Sequence, residues 1–69
     1  VLTKEQFKAA PVGTKASTPE GFLFLRRENG TALVSYESER NRPDMYWRDD
    51  DLDLSPDGDT DEFTVVTAP

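Results

Sequence analysis

Two apolar-rich segments, residues 22–28 and 31–37, flank the dipeptide Asn29-Gly30. A two-residue Asn-Gly link is the strongest short-range hairpin signal, because both loop residues need positive φ and these two tolerate it best. The rest of the chain must therefore be arranged around an antiparallel ribbon. A two-residue loop also sets a register. Leu25 faces Val34, Leu23 faces Tyr36 and Arg27 faces Ala32 on one side. Phe24 faces Ser35, Phe22 faces Glu37 and Arg26 faces Leu33 on the other. The first side is the expected core face. The second still carries Phe22, Phe24 and Leu33, and apolar groups on both faces predict a curled sheet or a small barrel.

The flanking sequence supplies the other elements. Leu2-Thr3-Lys4-Glu5-Gln6-Phe7 is a helix start. Thr3 is the N-cap, Gln6 completes a capping box, and Leu2 and Phe7 stand where a hydrophobic staple closes. The helix should run to about Ala10 and stop at Pro11. An extended segment follows over 14–18. Pro19-Glu20-Gly21 reads as a turn, with Gly free to take positive φ. Residues 38–44 are polar, contain a Pro and read as a loop. Met45-Tyr46-Trp47-Arg48 reads as a short aromatic strand. Leu52 and Leu54 alternate with Asp51 and Asp53, which suggests a short edge strand with leucines inward. Phe63-Thr64-Val65-Val66 is a closing strand.

The fold class predicted is mainly β. A short N-terminal helix precedes a small antiparallel, SH3-like barrel or a strongly twisted sheet of four or five strands. The whole of 1–69 is expected to be one small domain: helix and turn over 1–11, β-meander over 12–48, acidic loop or edge over 49–62, closing strand over 63–66. At 69 residues the chain has little stability to spare.

Composition narrows the chemistry. There is no cysteine and no histidine. That removes disulfides, thiolate nucleophiles, the common zinc sites and the usual general base. No Walker loop, dinucleotide fingerprint or nucleophile elbow is present. The expectation is a non-enzyme without a cofactor. The longest apolar run, 22–25, is far short of the roughly 20 residues of a membrane span. The chain reads as a soluble cytoplasmic protein, or a virion-associated one if it is a phage component.

Charge is divided unevenly along the chain. Residues 1–48 hold all eight Lys and Arg with six acids, whereas 49–69 hold eight acids and no base. The net charge of −6 disfavours direct binding to nucleic acid or an anionic membrane and favours a basic partner. The acidic run admits three readings. Asp51, Asp53, Ser55, Asp57, Asp59 and Glu62 match the ligand spacing of a calcium loop, but Pro56 stands where that loop needs Gly. Alternatively, spaced carboxylates imitate a phosphate backbone and occupy a nucleic-acid-binding protein, with affinity falling steeply as salt rises. The plainest reading is a solvated face that keeps a small protein dissolved.

Tyr46, Trp47 and Arg48 place three residue types enriched at binding hot spots side by side. Strand alternation sends one of Tyr46 and Trp47 inward. Trp47 is the expected core residue, which leaves Tyr46 outward. Arg26, Arg27, Arg40, Arg42 and Arg48 are interleaved with Glu28, Glu37, Glu39 and Asp44, so they read as surface pairs more than as a basic patch. The candidate partner contacts are Tyr46, Trp47, Arg48, Asp49, Asp50, Asp51 and Asp53. The partner expected is a protein with a basic surface, or a second copy of the chain.

The run Phe7-Lys8-Ala9-Ala10-Pro11-Val12-Gly13-Thr14, the Pro-Glu-Gly turn, the Asn-Gly hairpin and the closing Phe-Thr-Val-Val together resemble small proteins of actinobacteria and their phages. In those proteins a Trp usually sits inside the hairpin; here that position is aliphatic and Trp47 comes later. The resemblance implies a phage or prophage accessory or structural role and carries no functional residues. The expected function is a non-enzymatic protein-interaction module, such as a phage accessory or structural protein or a host-factor modulator. The alternatives are an acidic nucleic-acid mimic and a calcium-binding module through 51–62.

Overall fold

The computed structural model describes residues 1–36 and 44–69. Its elements are α1 (Lys4–Lys8), β1 (Lys15–Ser17), β2 (Phe22–Arg27), β3 (Thr31–Tyr36), β4 (Met45–Arg48), a 3₁₀ helix η1 (Asp49–Leu54) and β5 (Thr64–Thr67). The strands form one antiparallel sheet in the order β4-β3-β2-β1-β5. Because β4 and β5 do not pair, the sheet is open. The mainly β class and the twisted-sheet form of the prediction hold, while the barrel closure does not occur. The polar loop expected over 38–44 falls largely on residues 37–43, which lie outside the described residues, as do Glu37, Glu39, Arg40 and Arg42.

Asn29 and Gly30 adopt φ of 60° and 65°, as an Asn-Gly turn requires. The register, however, is one residue away from the expected one. Arg27 pairs with Thr31, so Glu28 joins the loop, and its carbonyl accepts the Thr31 hydroxyl at 2.7 Å. A one-residue shift exchanges the face presented by one strand relative to the other. Phe24 now stands beside Val34, and Arg26 beside Ala32. Leu23 and Leu25, expected in the core, lie on the opposite face and are half-buried. The packing shows why this register prevails. Phe24 buries more apolar area than either leucine, and small Ala16 and Val34 flank it across the sheet.

The core lies against that inner face. Phe7, Phe24 and Phe63 are fully buried. The Phe7 and Phe63 rings stack at 4.7 Å, and Phe24 meets both edge-on at 6.0 and 5.2 Å. Such aromatic pairs contribute about 0.5–1.5 kcal/mol each beyond their area. Ala16, Ala32, Val34 and Leu52 complete the cluster, with Leu2, Phe22 and Trp47 packed around it. Phe7, Leu52 and Phe63 come from α1, η1 and the approach to β5, so the C-terminal segment and the helix together roof one side of the sheet.

The helix starts as its sequence specifies. The Gln6 amide donates to Thr3 Oγ1 at 3.2 Å, and the Thr3 amide donates to Gln6 Oε1 at 2.9 Å. The Lys4 amide donates to Asp61 Oδ1 at 3.1 Å, so an acid from the far end of the chain completes the cap. The helix ends at Lys8 with Ala9 as C-cap, slightly before the expected Ala10. It spans less than two turns, and helices that short depend on packing and caps. Thr3→Ala should therefore lower stability by about 1 kcal/mol, read as a drop in the urea midpoint with unchanged slope.

The acidic run departs from the predicted edge strand. Residues 49–54 wind as a 3₁₀ helix, in which positions three apart share a face. Leu52 and Ser55 are buried and Asp49 is partly buried, whereas Leu54 is 72% exposed. The apolar alternation at 52 and 54 thus has no structural counterpart: only one leucine points inward.

Candidate interaction surface

Pairing across the sheet fixes which side chains share a face, because directly opposed residues point the same way. The row that begins with Phe24 and the row that joins Trp47, Ala32 and Arg26 face the roof. The row that joins Lys15, Leu25, Leu33 and Tyr46 faces away from it. So do Leu23 with Ser17 and Ser35, and Arg27 with Thr31 and Arg48.

No described element covers this outer face. Its centre is Leu23, Leu25 and Leu33, all half-buried, continued by Tyr46 at 65% exposure. Its margin carries Lys15, Arg27 and Arg48. None of the three forms an ion pair among the described residues. No described strand position on this face is acidic. The result is an apolar strip with a basic edge.

The roof has the opposite character. Asp50, Asp51, Asp53, Asp59, Asp61 and Glu62 are all exposed along it. Some of its acids hold the fold together. Asp49 makes a two-pronged ion pair with Arg26, Nη2 to Oδ2 at 2.9 Å and Nη1 to Oδ1. Asp57 Oδ2 accepts the Glu20 amide at 3.2 Å and ties the roof to the β1–β2 turn. Asp61 caps α1. The eight acids of 49–69 thus gather on the roof and its connections, beside Lys4 and Lys8 of α1, while the described outer strand positions carry only Lys15, Arg27 and Arg48 as charges.

The structure separates the predicted contact residues accordingly. Tyr46 and Arg48 reach the outer face together. Trp47 is half-buried on the inner face against the core, as expected from strand alternation. Asp49 is committed to Arg26 and does not join a contact surface. Asp50 lines the cleft at the hairpin tip beside Thr31 and Arg48, and Asp51 and Asp53 are exposed on η1. Arg26, grouped in sequence with the surface arginines, is 5% exposed, and its guanidinium lies 5.5 Å from the centre of the Phe7 ring. Lys15, Leu23, Leu25 and Leu33 belong to the surface but were not singled out by sequence, and Arg27, read there as part of a surface pair, has no ion-pair partner among the described residues. In Phe-Leu-Phe-Leu-Arg-Arg both parities are equally apolar, so only the pairing register reveals which one stays open.

Other features offer less. Among the described residues, no group of three or more acids is arranged to hold a metal ion. An open cleft lies where the hairpin tip meets the start of η1, lined by Asn29, Gly30, Thr31, Arg48, Asp49 and Asp50. Within it the Thr31 hydroxyl donates to the Glu28 carbonyl and Asp49 is held by Arg26. Three buried polar atoms, Thr14 Oγ1, Arg26 Nε and Trp47 Nε1, find no hydrogen-bond partner among the described residues. They sit along one inner-face row of the sheet. No described helix is long and apolar enough to cross a membrane.

No protein-family description, curated protein or solved structure matches this chain.

Proposed function

We propose that this chain is a non-enzymatic protein-interaction module that works through the outer face of its sheet. The observation that carries the reading is the uncovered strip Leu23, Leu25, Leu33 and Tyr46, edged by Lys15, Arg27 and Arg48, none of which pairs within the described fold. An apolar centre with a charged rim is the usual anatomy of a specific contact. Lys15, Arg27 and Arg48 would steer an acidic surface toward the strip, and Tyr46 would supply the anchor. A phage or prophage accessory role remains compatible with such a module and rests on the sequence resemblance alone.

A photo-crosslinking amino acid placed at position 46, and separately at Glu5 on the roof side, tests the reading. In cells of the native host, the position-46 probe should yield discrete protein adducts that the position-5 probe does not. Equal labelling from both positions, or none from position 46, would remove the outer face as the working surface.

A further inference from the structure

The outer face is the half of a contact whose complement lies on the same molecule. Leu54 projects from η1 at 72% exposure, although the residue two before it is fully buried. Around it in sequence stand Asp50, Asp51 and Asp53, all exposed. This is an apolar knob in an acidic setting, on the roof. On the opposite side of the sheet, Leu25, Leu33 and Tyr46 form an apolar seat with Lys15, Arg27 and Arg48 around it. We infer that the occupant of the outer face is a second copy of this chain, docked head to tail with Leu54 of one copy on the Leu25–Leu33–Tyr46 seat of the next. This inference rests on the interaction-module reading and names its partner.

Three physical points support the match. Charge is complementary in sign at both margin and rim, so the two surfaces attract as they approach. The apolar elements are complementary in kind: one projecting aliphatic side chain against a half-open strip. Leu52, two residues before the knob, is anchored in the core on the inner side of the sheet, whereas the seat residues Leu25, Leu33 and Tyr46 face outward. A nucleic-acid strand is the other polyanion such a basic strip invites. It brings no projecting aliphatic side chain to fill the apolar seat, whereas a second copy brings Leu54.

Size sets the strength. The molecule measures 29 × 22 × 22 Å. A contact built on one leucine and its acidic neighbours falls below the roughly 800 Å² per partner of a standard stable interface. Association should therefore be weak and visible only at high concentration. Because the contact is heterologous, each copy leaves one knob and one seat unused, so growth continues beyond two copies unless a ring closes.

The test uses the intact chain and two variants altered only at exposed positions. Leu54→Asp removes the knob. Tyr46→Asp combined with Arg48→Glu removes the seat. Both should keep the wild-type thermal transition, which confirms folding. In sedimentation velocity at about 50 mM salt, the wild type should show an average mass that rises with concentration, and about 0.5 M salt should weaken this at least tenfold. Each variant alone should stay monomeric. Mixed in equal amounts, they should form a species of two copies and nothing larger, since one knob and one seat remain between them. A wild type that is monomeric at every concentration overturns the inference. So does a Leu54→Asp variant that still associates, which would signal a symmetric seat-to-seat contact, and so does a mixture that stays monomeric. If the purified chain is monomeric yet the position-46 probe captures a different protein in cells, the partner named here is wrong and the interaction surface stands. If both experiments are negative, both readings fall.

Discussion

Gly58→Ala should leave the chain largely unfolded at room temperature or at the edge of its transition. A Cβ at position 58 would lie 1.8 Å from the Leu52 carbonyl oxygen and 2.1 Å from Ser55 Oγ. Neither neighbour can step aside cheaply. The Leu52 carbonyl accepts the Ser55 amide at 3.0 Å and the Ser55 hydroxyl as well, and the Ser55 carbonyl accepts the Gly58 amide at 3.0 Å. Leu52, Ser55 and Gly58 thus form one packed column, and Leu52 at its base is fully buried in the core. Making room for a methyl group means moving backbone that anchors a core side chain. Overpacking of that kind costs about 3 kcal/mol or more. A chain of 69 residues holds only roughly 3–10 kcal/mol in total. Urea titration followed by the fluorescence of Trp47 reads the loss. Asp59→Ala, at a nearby exposed position, serves as the control and should stay within about 0.5 kcal/mol of wild type. A Gly58→Ala midpoint within about 1 kcal/mol of wild type would falsify the rigid column, because it would show that the η1 segment yields without disturbing Leu52.

The contrast between Gly58 and Asn29-Gly30 shows what the sequence could disclose. Asn-Gly announces itself because its requirement is local: two residues need positive φ, and the chain offers the two types that accept it. The capping box at Thr3 and Gln6 and the Pro-Glu-Gly turn are legible for the same reason. Gly58 is tied to a carbonyl six residues earlier that only becomes its neighbour once η1 has wound, and no spacing rule marks it. The same distinction explains the register. Whether Glu28 belongs to the strand or to the loop changes nothing local that the residue types reveal. It decides whether Phe24 or Leu25 enters the core, and the decision is made by the roof, where Phe7 and Phe63 provide rings for Phe24 to meet edge-on. The outer strip was hidden by that same ambiguity. Period-two alternation at Leu52 and Leu54 misled for a related reason, since a three-residue period fits the same two leucines with one of them outside. Tyr46 outward and Trp47 inward were legible because strand alternation alone separates them.

Asp49→Ala should cost about 2–3 kcal/mol, and Arg26→Met on the same background should restore much of the loss. Arg26 is 5% exposed, and its two terminal nitrogens both bond Asp49. Its Nε has no hydrogen-bond partner among the described residues, and the guanidinium lies over the Phe7 ring. Removing the carboxylate therefore strands a buried cation. Losses of this kind run from about 3 to 5 kcal/mol for fully buried pairs. The Asp49 side chain is 24% exposed, so water screens part of the effect and the lower figure applies. Met keeps an apolar stem over Phe7 without the charge, which is why the double variant should recover. The surface pair Glu5–Lys8, 3.6 Å apart, should contribute little by comparison. Urea midpoints for the wild type, both single variants and the double variant complete the cycle. Asp49→Ala within about 1 kcal/mol of wild type, or no recovery in the double variant, would show that the pair does not hold the fold. The consequence reaches the surface. Asp49 turns inward to Arg26 while its amide donates to the Gly30 carbonyl at 2.9 Å, which pins the start of η1 to the hairpin tip. Arg48, one residue earlier, is thereby held on the outer face, and Leu54, five residues later, is presented from the roof. Asp49→Ala should weaken head-to-tail association as well as stability, although it touches neither Leu54 nor the seat. Arg26→Met on the same background should restore stability more fully than association, because it removes the buried charge without rebuilding the anchor that positions η1.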